Sequence, residues 1–472
     1  MEESSCFFSS VPFLYWFLPC VLILYAIVPR ILKNTILLLS SLFFYGYGEP
    51  RYVIWMIVAI ILAYIFGLLI ERYETFQRLS KLFLILSVIS SITMLGYFKY
   101  ANFFIQNINA VTGISLPLLK ITLPIGISFY TFQILSYTVD VYRKNVKAQK
   151  NIIDLATYVA LFPQLIAGPI VRYADIAKQL KDRKHSIDKI SAGISRFIIG
   201  LSKKILIANL LGELCTIFKA SNEKSVLFFW LYAIAYSLHI YFDFSGYSDM
   251  AIGLGKIFGF TFLENFNYPF ISNSITEFWR RWHMSLGSWF RDYVYIPLGG
   301  NRKGKKRQLL NIFIVWMLTG FWHGASWNFI IWGLYFAVLL IIEKLWLLKY
   351  LQKSRVLSHI YVIIATVISF VIFDATNMSQ AFDYIKAMFF GSNYPLISNE
   401  FIYYFHSYYV ILIFAIIGST PLPNMIWSFY KRSSFGKKIS IFIEPVALVI
   451  LLIICTAFLV DGSYNPFLYF RF

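Results

Sequence analysis

Seven stretches of the chain, residues 11–28, 52–70, 82–98, 226–244, 330–347, 356–373 and 441–459, are dominated by apolar side chains for close to the length of a membrane-crossing helix. A bilayer core about 30 Å thick takes about 20 such residues per helix. Inside it, a backbone must satisfy its own hydrogen bonds, so the chain there folds as helices or a closed barrel. Runs of this length select helices. Of the 472 residues, 59% are hydrophobic and 14% charged, where soluble domains carry about 25% charged residues. The polar residues are too few to cover a water-facing surface.

Shorter or Gly/Pro-interrupted apolar segments occupy 35–47, 121–141, 152–170, 194–218, 249–262, 309–321 and 408–417. Together the segments predict an all-α polytopic membrane protein with about ten to twelve spans, plus re-entrant and interfacial helices. No linker, low-complexity stretch or repeat divides it, which predicts a single domain over 1–472. The first ten residues carry Glu2 and Glu3 and no basic residue. A secretory signal needs a basic start, so 11–28 reads as a retained span. Four cysteines lie far apart, with no Cys-x-x-Cys pair and no metal-ligand spacing.

Net charge is +19. In a soluble protein that balance would raise nucleic-acid binding. Here the charges sit in short loops between apolar runs, where cytoplasmic loop bias and anionic lipid account for them, and no nucleic-acid partner is expected. The basic clusters at 30–33, 72–81, 143–150, 172–189, 302–307, 344–355 and 431–438 are thereby assigned to the cytoplasm. Two intervals break the alternation. Between Lys150 and Arg172 there is room for one hydrophobic segment, interrupted by Pro163, Gly168 and Pro169. A broken, re-entrant element lining a protein-walled cavity reconciles the charges with the breaks. Between Arg307 and Lys344, two apolar helices flank Trp322-His323-Gly324-Ala325-Ser326-Trp327-Asn328. A helix starting near Leu309 carries His323 roughly 20 Å inward at 1.5 Å per residue. An ionisable group at such depth marks a functional site by default.

The other histidines divide. His185, His359 and His406 lie in loops or near interfaces and need no functional reading. His239 shares an apolar segment with Asp243 and Asp249. Those carboxylates could orient a histidine, bind substrate hydroxyls or hold helices together. His283 falls in an Arg- and Trp-rich stretch, 277–293, whose amphipathic pattern suits a helix lying at the membrane surface. That stretch reads as an interfacial anchor, or as a funnel wall in which Arg280, Arg281 and Arg291 hold an anionic donor such as coenzyme A. For His323, the small and polar neighbours Gly324, Ser326 and Asn328 favour close approach of a ligand. A neutral imidazole in a dry site can take a proton from a hydroxyl attacking a thioester. No serine or cysteine nucleophile motif and no phosphate-binding loop occurs, which favours direct transfer over a covalent acyl-enzyme.

These residues carry a resemblance. Trp279-Arg280-Arg281-Trp282-His283 together with Trp322-His323-Gly324 resembles the membrane-bound O-acyltransferase family, in its bacterial glycan O-acetyltransferase branch. Supporting segments are 44–50, 123–129, 164–169, 241–249, 295–302 and Asn465-Pro466-Phe467. The resemblance implies a crown of helices around a central funnel, with His323 at its neck and His283 as the second family histidine. It implies acyl transfer from a cytoplasmic thioester, acetyl-coenzyme A being the expected donor, with no bound cofactor or metal. Asp243, Asp249, Ser326 and Asn328, with Arg280 and Arg281, are the candidate substrate and donor contacts. It also implies an extracytoplasmic esterase-like partner, a glycan acceptor in the cell envelope, and residence in a bacterial inner membrane. Relatives modify alginate, cellulose or peptidoglycan, and a sister branch transfers D-alanine toward teichoic acids, which stays open as an alternative. A transporter, or a non-catalytic scaffold of envelope assembly, is the reading of a different class; a transporter would show paired broken helices in symmetric halves, and the sequence has no such repeat.

Overall fold

The computed structural model describes residues 8–166, 168–391 and 393–462. It is 78% helical, with no strand among the described residues. Among the described residues, seven helices are long and apolar enough to cross a bilayer: Val53–Arg72, Gln77–Thr112, Val226–Ile257, Trp327–Leu351, Arg355–Asp374, Asn399–Gly418 and Ser434–Val460. The remaining expected segments form shorter helices, among them Lys33–Gly48, Ile127–Tyr142 and Lys305–His323. Burial separates their roles. In the most apolar window of Val226–Ile257, 78% is buried, against 6% for Ser434–Val460. The first is a core element and the second presents its apolar surface outward, as lipid permits.

Two boundaries differ from the sequence reading. Segments 226–244 and 249–262 are not separate, because one 32-residue helix runs from Val226 to Ile257. Gly246 does not break it. A Cβ there would lie 2.8 Å from the Gly200 carbonyl oxygen, so the glycine admits a neighbouring helix at backbone contact. The second difference is the 277–293 stretch. It forms two short helices, Ile275–Arg281 and Met284–Phe290, instead of one surface helix.

The described chain forms two compact units. One comprises the residues up to Phe197 together with Met250–Leu263. In it, helices Val53–Arg72, Gln77–Leu95 and Ile127–Tyr142 pack on one another. The expected broken segment is here: Ile152–Ala160 stops at Leu161, Phe162–Leu165 adds one turn, and extended chain follows. Tyr158, Phe162 and Leu165 are fully buried, and the Tyr158 hydroxyl donates to the Val171 carbonyl at 3.0 Å, replacing helical partners that the break removes.

The other unit comprises Ile198–Asp249 and Glu264 onward. It contains every candidate site residue. Its tightest pair is the hairpin of Lys305–His323 and Trp327–Ile342. Gly320 and Gly333 let these helices touch backbone to backbone. A Cβ on Gly320 would meet the Phe329 carbonyl oxygen at 2.3 Å, and one on Gly333 the Trp316 carbonyl oxygen at 2.3 Å. Small residues are the general means of close helix approach in lipid. Asn465-Pro466-Phe467 lies outside the described residues.

Candidate active site

His323 is the last residue of its helix, 18 steps of about 1.5 Å from Lys305, or about 27 Å along the axis. Gly324 then turns the chain in an extended conformation. A Cβ at Gly324 would sit 2.2 Å from the Phe329 ring, so only glycine lets Phe329 close under the turn. The imidazole is 4% exposed. Trp322 and Trp332 lie 5.0 Å from it between ring centroids and Phe373 lies 5.5 Å away, all near edge-to-face. Asn328, the second residue of the returning helix, is buried and donates Nδ2–H to the Ala375 carbonyl at 2.9 Å. Ser326 is half-buried at the start of that helix.

His283 belongs to the same aromatic group. Its ring stands 6.1 Å from Trp322 and 4.7 Å from Phe244, so Trp322 packs on both histidines. It is 1% exposed, which removes the expected interfacial anchor: Trp282 and His283 point into protein, not lipid headgroups. Its backbone is left-handed, with φ +44° and ψ +53°. A non-glycine residue pays for that conformation and keeps it only where its surroundings enforce it, as functional sites do.

Asn265 does the enforcing. Its side-chain oxygen accepts from His283 Nδ1 at 3.1 Å, Ser285 N–H at 3.2 Å and Ser285 Oγ at 2.8 Å, while its Nδ2 donates to Ser248 Oγ at 3.0 Å. Its carbonyl accepts from Met284 N–H at 2.9 Å. The Ser285 backbone donor fixes the amide orientation, and the amide oxygen in turn requires His283 to carry its proton on Nδ1. Nε2 is therefore the basic nitrogen. Burial pushes the His283 imidazole down to about 3, so it is neutral at physiological pH. Because the folded value lies below the unfolded one of about 6.5, this group's contribution to stability is present above pH 6.5 and is lost progressively toward pH 3. Asn265→Asp places a carboxylate on Nδ1 and favours the imidazolium. The acid limb of the pH–rate profile is then expected to rise by about one to three units; an unshifted limb would separate Asn265 from the function of His283.

The helix carrying Trp279 to Arg281 is anchored by Glu343. This carboxylate, 1% exposed, accepts from Ile275 N–H at 2.6 Å, Thr276 N–H at 2.9 Å and the Thr276 hydroxyl at 2.6 Å. An anion at a helix N-terminus satisfies the free amides and the dipole together. Sequence reasoning passed over both Asn265 and Glu343. Glu343 had a signal, a carboxylate within the apolar run 330–347, directly before the basic cluster that begins at Lys344.

Two of the three arginines have protein partners. Arg281 pairs with Glu277 at 2.8 Å and donates to the Asn267 carbonyl, and Arg291 pairs with Asp292 at 2.7 Å. Arg280 is exposed. Asp243 and Asp249 also have protein partners: Lys204 at 2.6 Å, with both side chains 1% exposed, and Lys203 at 2.7 Å. The lysines sit on a widened helical turn, Lys203–Ala208, such as recurs at functional sites. His239 donates from Nδ1 to the Ala208 carbonyl oxygen at 2.6 Å. These ion pairs tie both carboxylates to that turn, the geometry that helix packing, the third of the readings left open by the sequence, calls for.

Residues 79–379 match the membrane-bound O-acyltransferase family. The chain belongs to this family. The match encloses Asp243, Asp249, Asn265, His283, His323 and Asn328. Over 394 residues the chain is 42% identical to the probable alginate O-acetylase AlgI of Azotobacter vinelandii, covering 82% of this chain and 79% of the relative. It is 44% identical to the probable alginate O-acetylase AlgI of Pseudomonas aeruginosa, with 82% and 75% covered. The peptidoglycan O-acetyltransferase of Helicobacter pylori is 33% identical over 81% of this chain and 79% of its own length. The chain is thus a multi-pass membrane enzyme of the O-acyltransferase class.

Proposed function

We propose that this protein transfers an acetyl group from a cytoplasmic thioester to a hydroxyl destined for an extracytoplasmic glycan, with His323 as the base. The observation that carries this reading is the buried His323 at the end of its helix, sharing Trp322 with a second buried histidine, inside the segment matched by the family. An attacking hydroxyl gives its proton to His323 as its oxygen bonds to the thioester carbonyl carbon. The intermediate then expels the thiolate, which takes the proton back. The imidazolium formed between these steps stands at a helix C-terminus, where the dipole favours a cation. His283, a neutral acceptor at Nε2, serves the same space.

Acetyl-coenzyme A is the proposed donor, with exposed Arg280 available to its phosphates. An esterase-like protein on the far side of a bacterial inner membrane is the proposed partner that completes delivery. Acetyl is favoured over D-alanyl by coverage. The alginate and peptidoglycan O-acetyltransferases align over 81–82% of this chain, whereas the teichoic acid D-alanyltransferase of Bacillus subtilis aligns over 46%.

Inside-out membrane vesicles supplied with acetyl-labelled coenzyme A test the donor and the direction together. Base-labile label accumulating on enclosed polymer is the expected result. Label that stays on coenzyme A, while a D-alanyl thioester is consumed, would replace acetyl by D-alanyl transfer.

A further inference from the structure

Rings bearing N–H groups surround His323. Trp332 packs on it, and Trp279 lies 5.6 Å from Trp332 between centroids. Interiors leave few buried polar atoms without a hydrogen bond, and each exception asks for a cause. Here Nε1 of Trp332, Nε1 of Trp279 and Oδ1 of Asn328 are all buried with no hydrogen-bond partner among the described residues. An indole nitrogen only donates, so no reassignment of atoms relieves it. Asn328 is fixed as well, since its Nδ2 already donates to the Ala375 carbonyl. One donor therefore stands on the ring that packs on the proposed base, the second on the ring packed against that one, and the acceptor one helical turn before Trp332 on the same helix. A carbonyl held next to an alcohol supplies the complementary pair.

We propose that the indole N–H groups of Trp332 and Trp279 form the oxyanion hole for acyl transfer; this rests on the reading of His323 as base toward a thioester. As the alcohol oxygen bonds to the carbonyl carbon, its proton passes to His323. The carbonyl electron pair moves onto the carbonyl oxygen, which the indole N–H groups receive. Collapse restores the C=O bond, breaks the C–S bond and returns the proton to the departing thiolate. Donors that are already in place and dry favour the charged intermediate over the neutral substrate. Asn328 Oδ1 accepts from a hydroxyl of the acceptor molecule adjacent to the attacking one.

The test replaces the indole N–H without altering ring shape. Trp332 and, separately, Trp279 are changed to benzothienylalanine, which carries sulfur in place of N–H, and Trp332→Phe is made alongside. Release of free thiol and acetyl transfer from acetyl-coenzyme A are followed in membranes at matched protein level. A fall in kcat of about a hundredfold for the Trp332 change, with KM for acetyl-coenzyme A held within about twofold, is expected. Activity near wild type, a rise in KM alone, or loss of folding in the ring-preserving variant would each overturn the assignment. His323→Ala separates the two levels. If it is inactive while the Trp332 variant is active, only the oxyanion hole falls; if His323→Ala is itself active, the underlying reading falls.

Discussion

Replacing His323 with alanine is expected to lower acyl transfer by about a thousandfold, within the range that a positioned general base contributes, while the protein remains in the membrane. The expectation follows from where the imidazole sits. It ends a helix, is 4% exposed, and is enclosed by Trp322, Trp332 and Phe373. Truncation removes the group that takes the hydroxyl proton. It also leaves a gap among those rings, so the detergent-solubilised variant should be compared with His323→Gln, which fills the space without serving as a base. Both variants inactive and both folded is the predicted pattern. An active glutamine variant would assign His323 to packing.

The second large effect is on stability. Lys204 and Asp243 form an ion pair with both side chains 1% exposed. Lys204→Met strands a carboxylate in the interior, and loss of one partner of a buried pair costs about 3–5 kcal/mol. Lys204→Met with Asp243→Leu removes both charges and should recover most of that loss, read as the thermal midpoint in detergent. The double variant also addresses chemistry. A stable and active double variant confines Asp243 to helix packing, whereas a stable but inactive one restores its candidacy as a substrate contact.

The sequence carried His323 because a lone imidazole deep in an apolar run violates the composition around it. The break near Leu161 was equally legible, since Pro163, Gly168 and Pro169 stand between basic clusters that require one segment to return. Less could be read where meaning depends on a distant partner. Asn265 acts on His283 across 18 residues and Glu343 on Thr276 across 67, and nothing local announces either. The left-handed turn at His283 was hidden because its neighbours form an unbroken amphipathic pattern, and a conformation imposed from Asn265 leaves no mark on that pattern. Gly246 illustrates the opposite difficulty. A glycine between two apolar runs suggests a boundary, yet here it permits close packing inside one helix. The aspartates were visible but their lysines were not, because Lys203 and Lys204 lie some 40 residues away on a turn whose widened register no periodicity reveals.

The most direct test of the central claim is the acetate released by mild base from purified envelope glycans. Cells lacking this protein would be complemented with wild type or His323→Ala at equal membrane levels. Acetate restored by wild type and absent with His323→Ala is the predicted result. Equal acetate in both strains would contradict the claim that this histidine is the base through which acetyl groups reach a glycan.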